Sequence, residues 1–346
     1  MPLKEPPSKC RSADMETRPE MTSGSATIEI GLNAVIVSVN GTVPQVLAVA
    51  GLAAGEPDGL PFGPFDPLHH RTFEIGLRAW VEEQTALGIG YVEQLYTFGD
   101  RGRHMIAGDT GPHVVSVGYL ALTRPSADNE EVLARHHSSW RSWYDFFPWE
   151  DWRDGRPALL DGEILPALRQ AAARSPNRQP VGGLKLDERI HLAFGEDGGA
   201  WDEERALDRY ELLYSSGLLE EAVRDRRPEA LACPNLPKFG RPMRFDHRRV
   251  LATALSRLRG KLKYRPVVFE LMPDTFTLTE LQQTVEAIFG RHLHKQNFRR
   301  LVENAEMVEP TGATSTATGG RPAALFRFRR EVLKERPAPG LRVGGR

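Results

Sequence analysis

Cysteine is nearly absent from this chain of 346 residues, which contains only Cys10 and Cys233. A disulfide-stapled scaffold is therefore excluded, and any stable core must come from apolar packing. No run approaches the ~20 consecutive apolar residues that a membrane helix needs. The first residues also lack the apolar stretch of a signal peptide, so a cytoplasmic location is expected. No internal repeat is visible. Net charge is small as well, −1 at pH 7. What is present is a chain 40% hydrophobic and 26% charged. That composition excludes disorder of the whole chain and suits buried cores in about two domains.

The small net charge conceals an asymmetry. Residues 238–346 hold 22 Lys and Arg against 10 Asp and Glu, a net of +12, whereas the remainder is −13. A basic segment joined to an acidic one is the pattern of a nucleic-acid-binding part attached to a sensor. The same charges also suit solubility, or docking of the basic part on the acidic half.

Residues 1–25 are rich in Pro, Ser, Thr and charge without periodicity and read as a disordered tail. From Thr27 an apolar run reaches Asn40-Gly41, and VPQVLAVAG then completes a hairpin. Gly51 to Pro67 is dense in Gly and Pro and reads as loop. Phe73, Leu77, Trp80 and Val81 share one helical face, and the segments YVEQLYTFGD and HVVSVGYLALT read as strands. This order implies an α/β (α+β) part with a mixed sheet. Residues 140–157 hold four of the six Trp, which fits a packed corner or, alternatively, a binding cage. Further on, Pro166 is expected to kink a helix, LKLDERIHLAFG reads as a strand, and a helical stretch breaks at Ser215-Ser216-Gly217. Pro228 to Pro242, with four prolines, is the candidate linker.

After the linker, Asp246 is placed to cap a helix running to about Gly260. Thr277 and Glu280 have the spacing of a capping box, followed by the apolar stripe Leu278, Leu281, Val285, Ile288 and Phe289, and Gly290 as the stop. A further helix near Lys295 turns Phe298, Leu301 and Val302 inward. Two short helices around a four-to-five-residue turn form a helix-turn-helix, whose second helix enters the major groove. The candidate DNA contacts on it are Lys295, Gln296, Asn297, Arg299 and Arg300. Gln and Asn can read adenine, Arg can read guanine, and the cations neutralise phosphates. Asn297, beside Phe298, also fits an inward capping role. EMVEP and ALFRFRREV then read as two strands joined by a Gly/Thr-rich loop carrying Arg321, the wing of a winged helix. Lys261, Lys263 and Arg265 rank second as phosphate contacts. A basic helical hairpin that packs on a partner protein is the competing reading.

In the acidic half, LRAWVEEQTAL resembles the second part of the Nudix box, with Arg78, Trp80, Glu82 and Glu83 at matching positions. LPFGPF, residues 60–65, resembles the glycine loop before it. In Nudix hydrolases the glutamates of that helix bind Mg²⁺, which neutralises a diphosphate and activates water. Here Ala79 replaces one glutamate, His70 stands at the upstream glutamate position and Thr85 at the glycine. Glu74 lies four residues out of register. A magnesium site short of two carboxylates should lose most of its metal affinity, so the chain is expected not to be an enzyme. An active Nudix-type pyrophosphohydrolase is the alternative, and a solvated helix face is the plain reading of Glu82 and Glu83.

Four runs together, FFPWEDWR (146–153), KYRPVVFELMPDTFTLTELQ (263–282), HKQNFRRLVE (294–303) and TGGRPAALFRF (318–328), resemble one family. It is the Nudix-related transcriptional regulators of NAD biosynthesis, of NrtR type and closest to the longer NadQ-like members. The resemblance spans about residues 27–336. It implies a Nudix-like effector-sensing domain over 26–237, a winged-helix DNA-binding domain over 238–336 and a tail over 337–346. It further implies a homodimeric, nucleoid-associated repressor that binds a double-stranded operator and requires no cofactor. The implied effector is ATP, NAD or ADP-ribose. Candidate effector contacts are Arg71, Arg78, Glu82, Glu83, Phe98 and Arg103, cations for the pyrophosphate and an aromatic to stack on adenine.

Overall fold

The hairpin at the start of the sheet forms as its sequence suggests: β1 (Ile28–Asn40) and β2 (Val43–Val49) are antiparallel, with Gly41 at φ +59° in the turn. The computed structural model describes residues 28–51, 53–100, 113–124, 130–174, 179–196, 198–233, 236–316, 322–335 and 340–341. The expected N-terminal tail lies outside these residues. β3 (Phe62–Pro64), α1 (Phe73–Thr85), β4 (Tyr91–Phe98), β5 (His113–Leu122), α2 (Glu130–Arg135) and β6 (Ser138–Ser142) follow. The sheet order is β4-β5-β1-β2-β6, with β3 pairing onto β1 and β5 parallel to it. It is the expected mixed sheet.

Side chains alternate across a strand, and β1 buries both sets. Leu32, Ala34 and Ile36 pack with Leu77 and Val81 of α1. Val35, Val37 and Val39 face the opposite core. That second core contains α9 (His247–Tyr264), reached through a helical segment. The segment runs α3 (Trp143–Phe146), α4 (Leu165–Arg174), α5 (Leu186–Phe194), α6 (Ala206–Ser215), α7 (Glu220–Arg224) and α8 (Pro228–Leu231). α10 (Leu278–Phe289), α11 (Lys295–Ala305), the antiparallel pair β7 (Val308–Ser315) and β8 (Ala323–Phe328), and α12 (Val332–Glu335) complete the described chain. It is a Nudix-like α/β sheet followed by a winged helix-turn-helix.

Several expectations are corrected. LKLDERIHLAFG is not a strand but the helix α5: Ile190, Ala193 and Phe194 share a buried helical face, and Glu188 accepts the Lys185 N–H at 2.7 Å. A π-turn over Leu160–Ile164 runs directly into α4, so Pro166, which has no N–H to donate, is absorbed at a register change. Asp246 occupies the N-cap position of α9 but makes no capping bond with its side chain, and the helix continues to Tyr264. The wing loop is shorter than expected, because β7 extends to Ser315 through a bulge between Pro310 and Thr314. In the expected tail, Leu341 is buried and its N–H donates to Leu262 O at 3.1 Å. α9, placed by sequence in the C-terminal domain, packs on β1, β4, β5 and α6 as well as α10.

The Trp-rich stretch is a packed corner. Trp143, Phe146, Phe147 and Trp149 are fully buried, and Glu150 is buried among them. Its carboxylate takes Arg209 Nε at 2.6 Å and Nη2 at 2.8 Å, and Arg259 Nη1 at 2.5 Å. Burial opposes ionisation of Glu150, but the two guanidinium groups outweigh it and hold the carboxyl below its ordinary 4.5. The stability this group supplies is therefore complete above that value and is lost as pH falls through the depressed one. Glu150→Gln should lower the unfolding free energy by about 3–5 kcal/mol, because it leaves two buried cations uncompensated. Denaturant melts of both proteins at neutral pH measure the difference.

Candidate nucleic-acid interface and sensor face

α10 starts with a complete capping box: Glu280 N–H donates to Thr277 Oγ1 at 3.2 Å and Thr277 N–H to Glu280 Oε2 at 2.7 Å. Leu281, Val285, Ile288 and Phe289 are buried beneath it. Gly290 ends the helix in the left-handed region, where glycine carries no steric cost, and its N–H reaches Glu286 O at 2.8 Å. Glu286 also organises the turn. Its carboxylate accepts the Leu293 N–H at 2.8 Å, the Gln282 amide at 2.7 Å and His292 Nδ1 at 2.9 Å. Burial would raise the pKa of this carboxyl, but these bonds outweigh it and hold it below the usual range.

With the turn fixed, α11 leaves the body in one orientation. Phe298 and Val302 are buried, while Lys295, Gln296, Asn297, Arg299 and Arg300 are all exposed. The structure thus leaves all five expected helix contacts exposed to solvent. Asn297 does not turn inward; its Oδ1 accepts Arg300 Nη2 at 3.4 Å on the surface. The first turn of α11 carries no acid and no side-chain cap, so no side chain there offsets the positive end of the helix dipole. Behind it, Phe276 and Phe326 exchange backbone hydrogen bonds at 2.9 and 2.8 Å, tying the base of the wing to the start of α10. Arg321 lies outside the described residues.

Of the second-rank cations, Arg265 is exposed, but the two lysines are placed otherwise. Lys261 bonds Glu93 and the Tyr91 hydroxyl, and Lys263 meets Glu204 at 2.5 Å. These partners lie in the acidic half, so a phosphate role for either lysine is not supported. Arg248 pairs with Glu221 at 3.3 Å, Arg249 with Glu211 at 2.5 Å and Arg291 with Glu203 at 2.7 Å. Sequence reasoning missed Glu286, Glu203 and Arg291; only the four-residue step from Gln282 to Glu286 could have indicated the first.

On the sensor side, α1 is latched to β3. Gln84 accepts the Phe62 N–H at 3.1 Å and donates to Phe62 O at 2.6 Å, while Trp80 Nε1 donates to Pro64 O at 2.8 Å. Trp80 lies so close over Gly63 that a Cβ there would be 2.2 Å from its ring. This close approach explains the glycine in LPFGPF. Arg71, Glu82 and Glu83 are exposed. Arg78 is already committed: it donates to Gly90 O at 3.1 Å, to Ile89 O, and to Glu74 at 2.8 and 3.0 Å. A pyrophosphate contact by Arg78 would break those bonds, so its position corrects that expectation. Phe98 is corrected as well. It is 2% exposed in the core on the α9 side of the sheet, with Arg249 over its ring at 5.2 Å, and cannot stack on a ligand at α1. The bulge between Gln94 and Thr97 shifts the alternation of β4 and turns Phe98 to that face. Arg103 lies outside the described residues.

The residues present do not fit the magnesium ion of a Nudix hydrolase. Ala79 offers no ligand, Glu74 is bound to Arg78, and at the upstream glutamate position His70 turns its Nδ1 to the Asp66 N–H at 3.4 Å. Among the described residues no group of three or more His, Cys, Asp or Glu is arranged to hold a metal ion. No described helix is long and apolar enough to cross a membrane.

Comparison with known proteins agrees with this geometry. Residues 268–328 match the family model of the NrtR DNA-binding winged helix domain. The chain is 45% identical over 84 residues to a protein of Acinetobacter baylyi named ADPR responsive transcriptional repressor NtrR, covering 24% of this chain. It spans about a third, 33%, of that relative's length. Shewanella oneidensis NrtR has the same fold at 20% identity and a TM-score of 0.50, over 88% of this chain and 95% of that one. The structure of that protein with a 27mer DNA aligns at a TM-score of 0.49 and 20% identity over the same shares.

Replacing Glu286 by Ala should free the turn before α11 and leave the Leu293 N–H without its partner. A loss of roughly 1–3 kcal/mol in unfolding free energy is expected, read by thermal or denaturant melts.

Proposed function

We propose that the chain is a DNA-binding transcriptional repressor of NAD-biosynthesis genes, in which the Nudix-like half senses an adenine nucleotide and does not hydrolyse it. The observation that carries the reading is the exposed face of α11, with Lys295, Gln296, Asn297, Arg299 and Arg300, inside the segment matched by a DNA-binding winged helix family model. The name of the Acinetobacter baylyi relative supports ADP-ribose as effector over ATP or NAD. The poor fit of Ala79, Glu74 and His70 to a metal site supports sensing over cleavage. Arg71, Glu82 and Glu83, exposed beside the latch between α1 and β3, are the remaining described candidates for the effector.

The repressor acts as a homodimer on a double-stranded operator in the cytoplasm, at the nucleoid. Two α11 helices then read half-sites about one helical turn apart, ~34–36 Å, with Gln296 and Asn297 on base edges and the cations on phosphates. ADP-ribose releases the operator by favouring a different spacing of the two helices.

The test is a mobility shift at about physiological salt on the gene's own upstream DNA, against scrambled competitor, with and without ADP-ribose. Specific retention abolished by ADP-ribose is the expected result. Release of AMP from ADP-ribose with magnesium, without specific DNA retention, would overturn the reading. Arg299→Ala should weaken binding across all sequences and reduce the salt slope by about one. Gln296→Ala should instead relax specificity at one base pair, by ~1–3 kcal/mol.

A further inference from the structure

His247 is the first residue of α9 and is 1% exposed. Apolar packing alone does not call for an imidazole there. Its Nδ1 accepts the Leu60 N–H at 2.9 Å, and its ring meets Phe62 edge-on at 5.1 Å and Phe245 at 5.4 Å. Arg244 lies over the same Phe62 ring at 5.5 Å, and its N–H donates to Asp58 O at 3.0 Å. Gly59 makes the approach possible: a Cβ at this position would lie 2.7 Å from Arg244 Nε and 3.0 Å from His247 Nδ1. Gly59 cannot retreat, since it exchanges two backbone bonds of 2.8 Å with Val49. The start of α9 is therefore fastened to residues 58–62.

Those residues lead into β3, whose Phe62 and Pro64 hold Gln84 and Trp80 of α1. At the other end, Arg259 of α9 donates to Ile288 O, in the last turn of α10, at 2.9 Å. Arg259 stands twelve positions along the helix from His247, a span of about 18 Å. One side chain thus stands where the sensor face is joined to the helix that bears on the helix-turn-helix.

We infer that His247 is a positioning residue that couples the sensor to the DNA reader, by holding β3 and α1 in register with α9. The inference rests on the proposed function, and it names where a ligand-induced shift of α1 enters α9. Replacement by Ala removes the acceptor for Leu60 N–H and uncouples the two ends. Asn, which offers an amide oxygen near the place of Nδ1, keeps the bond.

The test uses the full chain, its upstream DNA and ADP-ribose. For the wild type, saturating ADP-ribose should weaken operator binding on the order of 10-fold or more, within the usual range of coupling energies. His247→Ala should bring that ratio to about 1, and the reciprocal effect of DNA on ADP-ribose affinity should vanish with it. Each ligand should still bind alone as in the wild type, measured by calorimetry, and His247→Asn should restore the ratio. An unchanged ratio in His247→Ala overturns the inference. So does loss of DNA binding in the absence of effector, or equal loss of coupling in both variants. A wild type that binds its operator but ignores ADP-ribose overturns the effector reading itself, and this inference with it.

Discussion

Glu150 has no exposed surface, and its carboxylate is shared between two guanidinium groups that are equally buried. Taking three charges out of water is costly, and the arrangement persists only because nearly every lone pair and N–H is matched. Arg209 also donates to Ala193 O and Asp202 O, and lies over the Trp201 ring at 3.8 Å. Arg259 also donates to Glu203 O and Ile288 O. One carboxylate thereby orients the Trp-rich corner, α5, α6, α9 and the end of α10. The corner itself touches the reader: Trp152 N–H donates to Gly290 O at 2.6 Å and the Tyr144 hydroxyl to Ala287 O at 2.7 Å. A Cβ on Gly290 would lie 2.3 Å from Glu150 O, so the glycine that ends α10 is also required by the corner.

This junction changes what a division into domains means for the chain. β1 is buried on both faces, and its odd-numbered side chains share a continuous core with α9, α10 and α11. α9 is a helix of the sheet and of the helix-turn-helix at once. Two bodies joined by a flexible linker could pass a signal only through a partner or the DNA. A shared helix, fastened at His247 to the sheet side and at Arg259 to α10, would pass it through the packed interior, because well-packed cores move as units.

Much of the reader was legible because its signals are local. The Thr277–Glu280 box, Gly290 and the inward set Phe298 and Val302 each act within a few residues, and all appear as the pattern suggests. The hairpin at Asn40-Gly41 is legible for the same reason. α5 was misread because LKLDERIHLAFG satisfies both alternation and helical spacing, and only its tertiary neighbours decide. Phe98 was misplaced by a bulge, which no pattern of apolar residues announces. Arg78 was given to a ligand because a motif assigns residue types to positions but says nothing of backbone carbonyls nearby, here Ile89 and Gly90.

The charge asymmetry shows the same limit and carries a functional consequence. The +12 of residues 238–346 suggested a nucleic-acid-binding part, with docking on the acidic half as the alternative. Eight of those cations, Arg241, Arg244, Arg248, Arg249, Arg259, Lys261, Lys263 and Arg291, instead pair with acids before residue 238. Docking of the basic part on the acidic half is therefore realised, and the nucleic-acid contact proposed for α11 falls to other residues. Lys295, Arg299 and Arg300 of α11 are not among these eight, and all three are exposed. On the proposed reading, a small cationic face on α11 gives weak sequence-blind attraction, and the rest of the affinity would come from an operator that also satisfies Gln296 and Asn297. A reader of that kind would be sensitive to the placement of one helix, which is what the inferred coupling through α9 would alter.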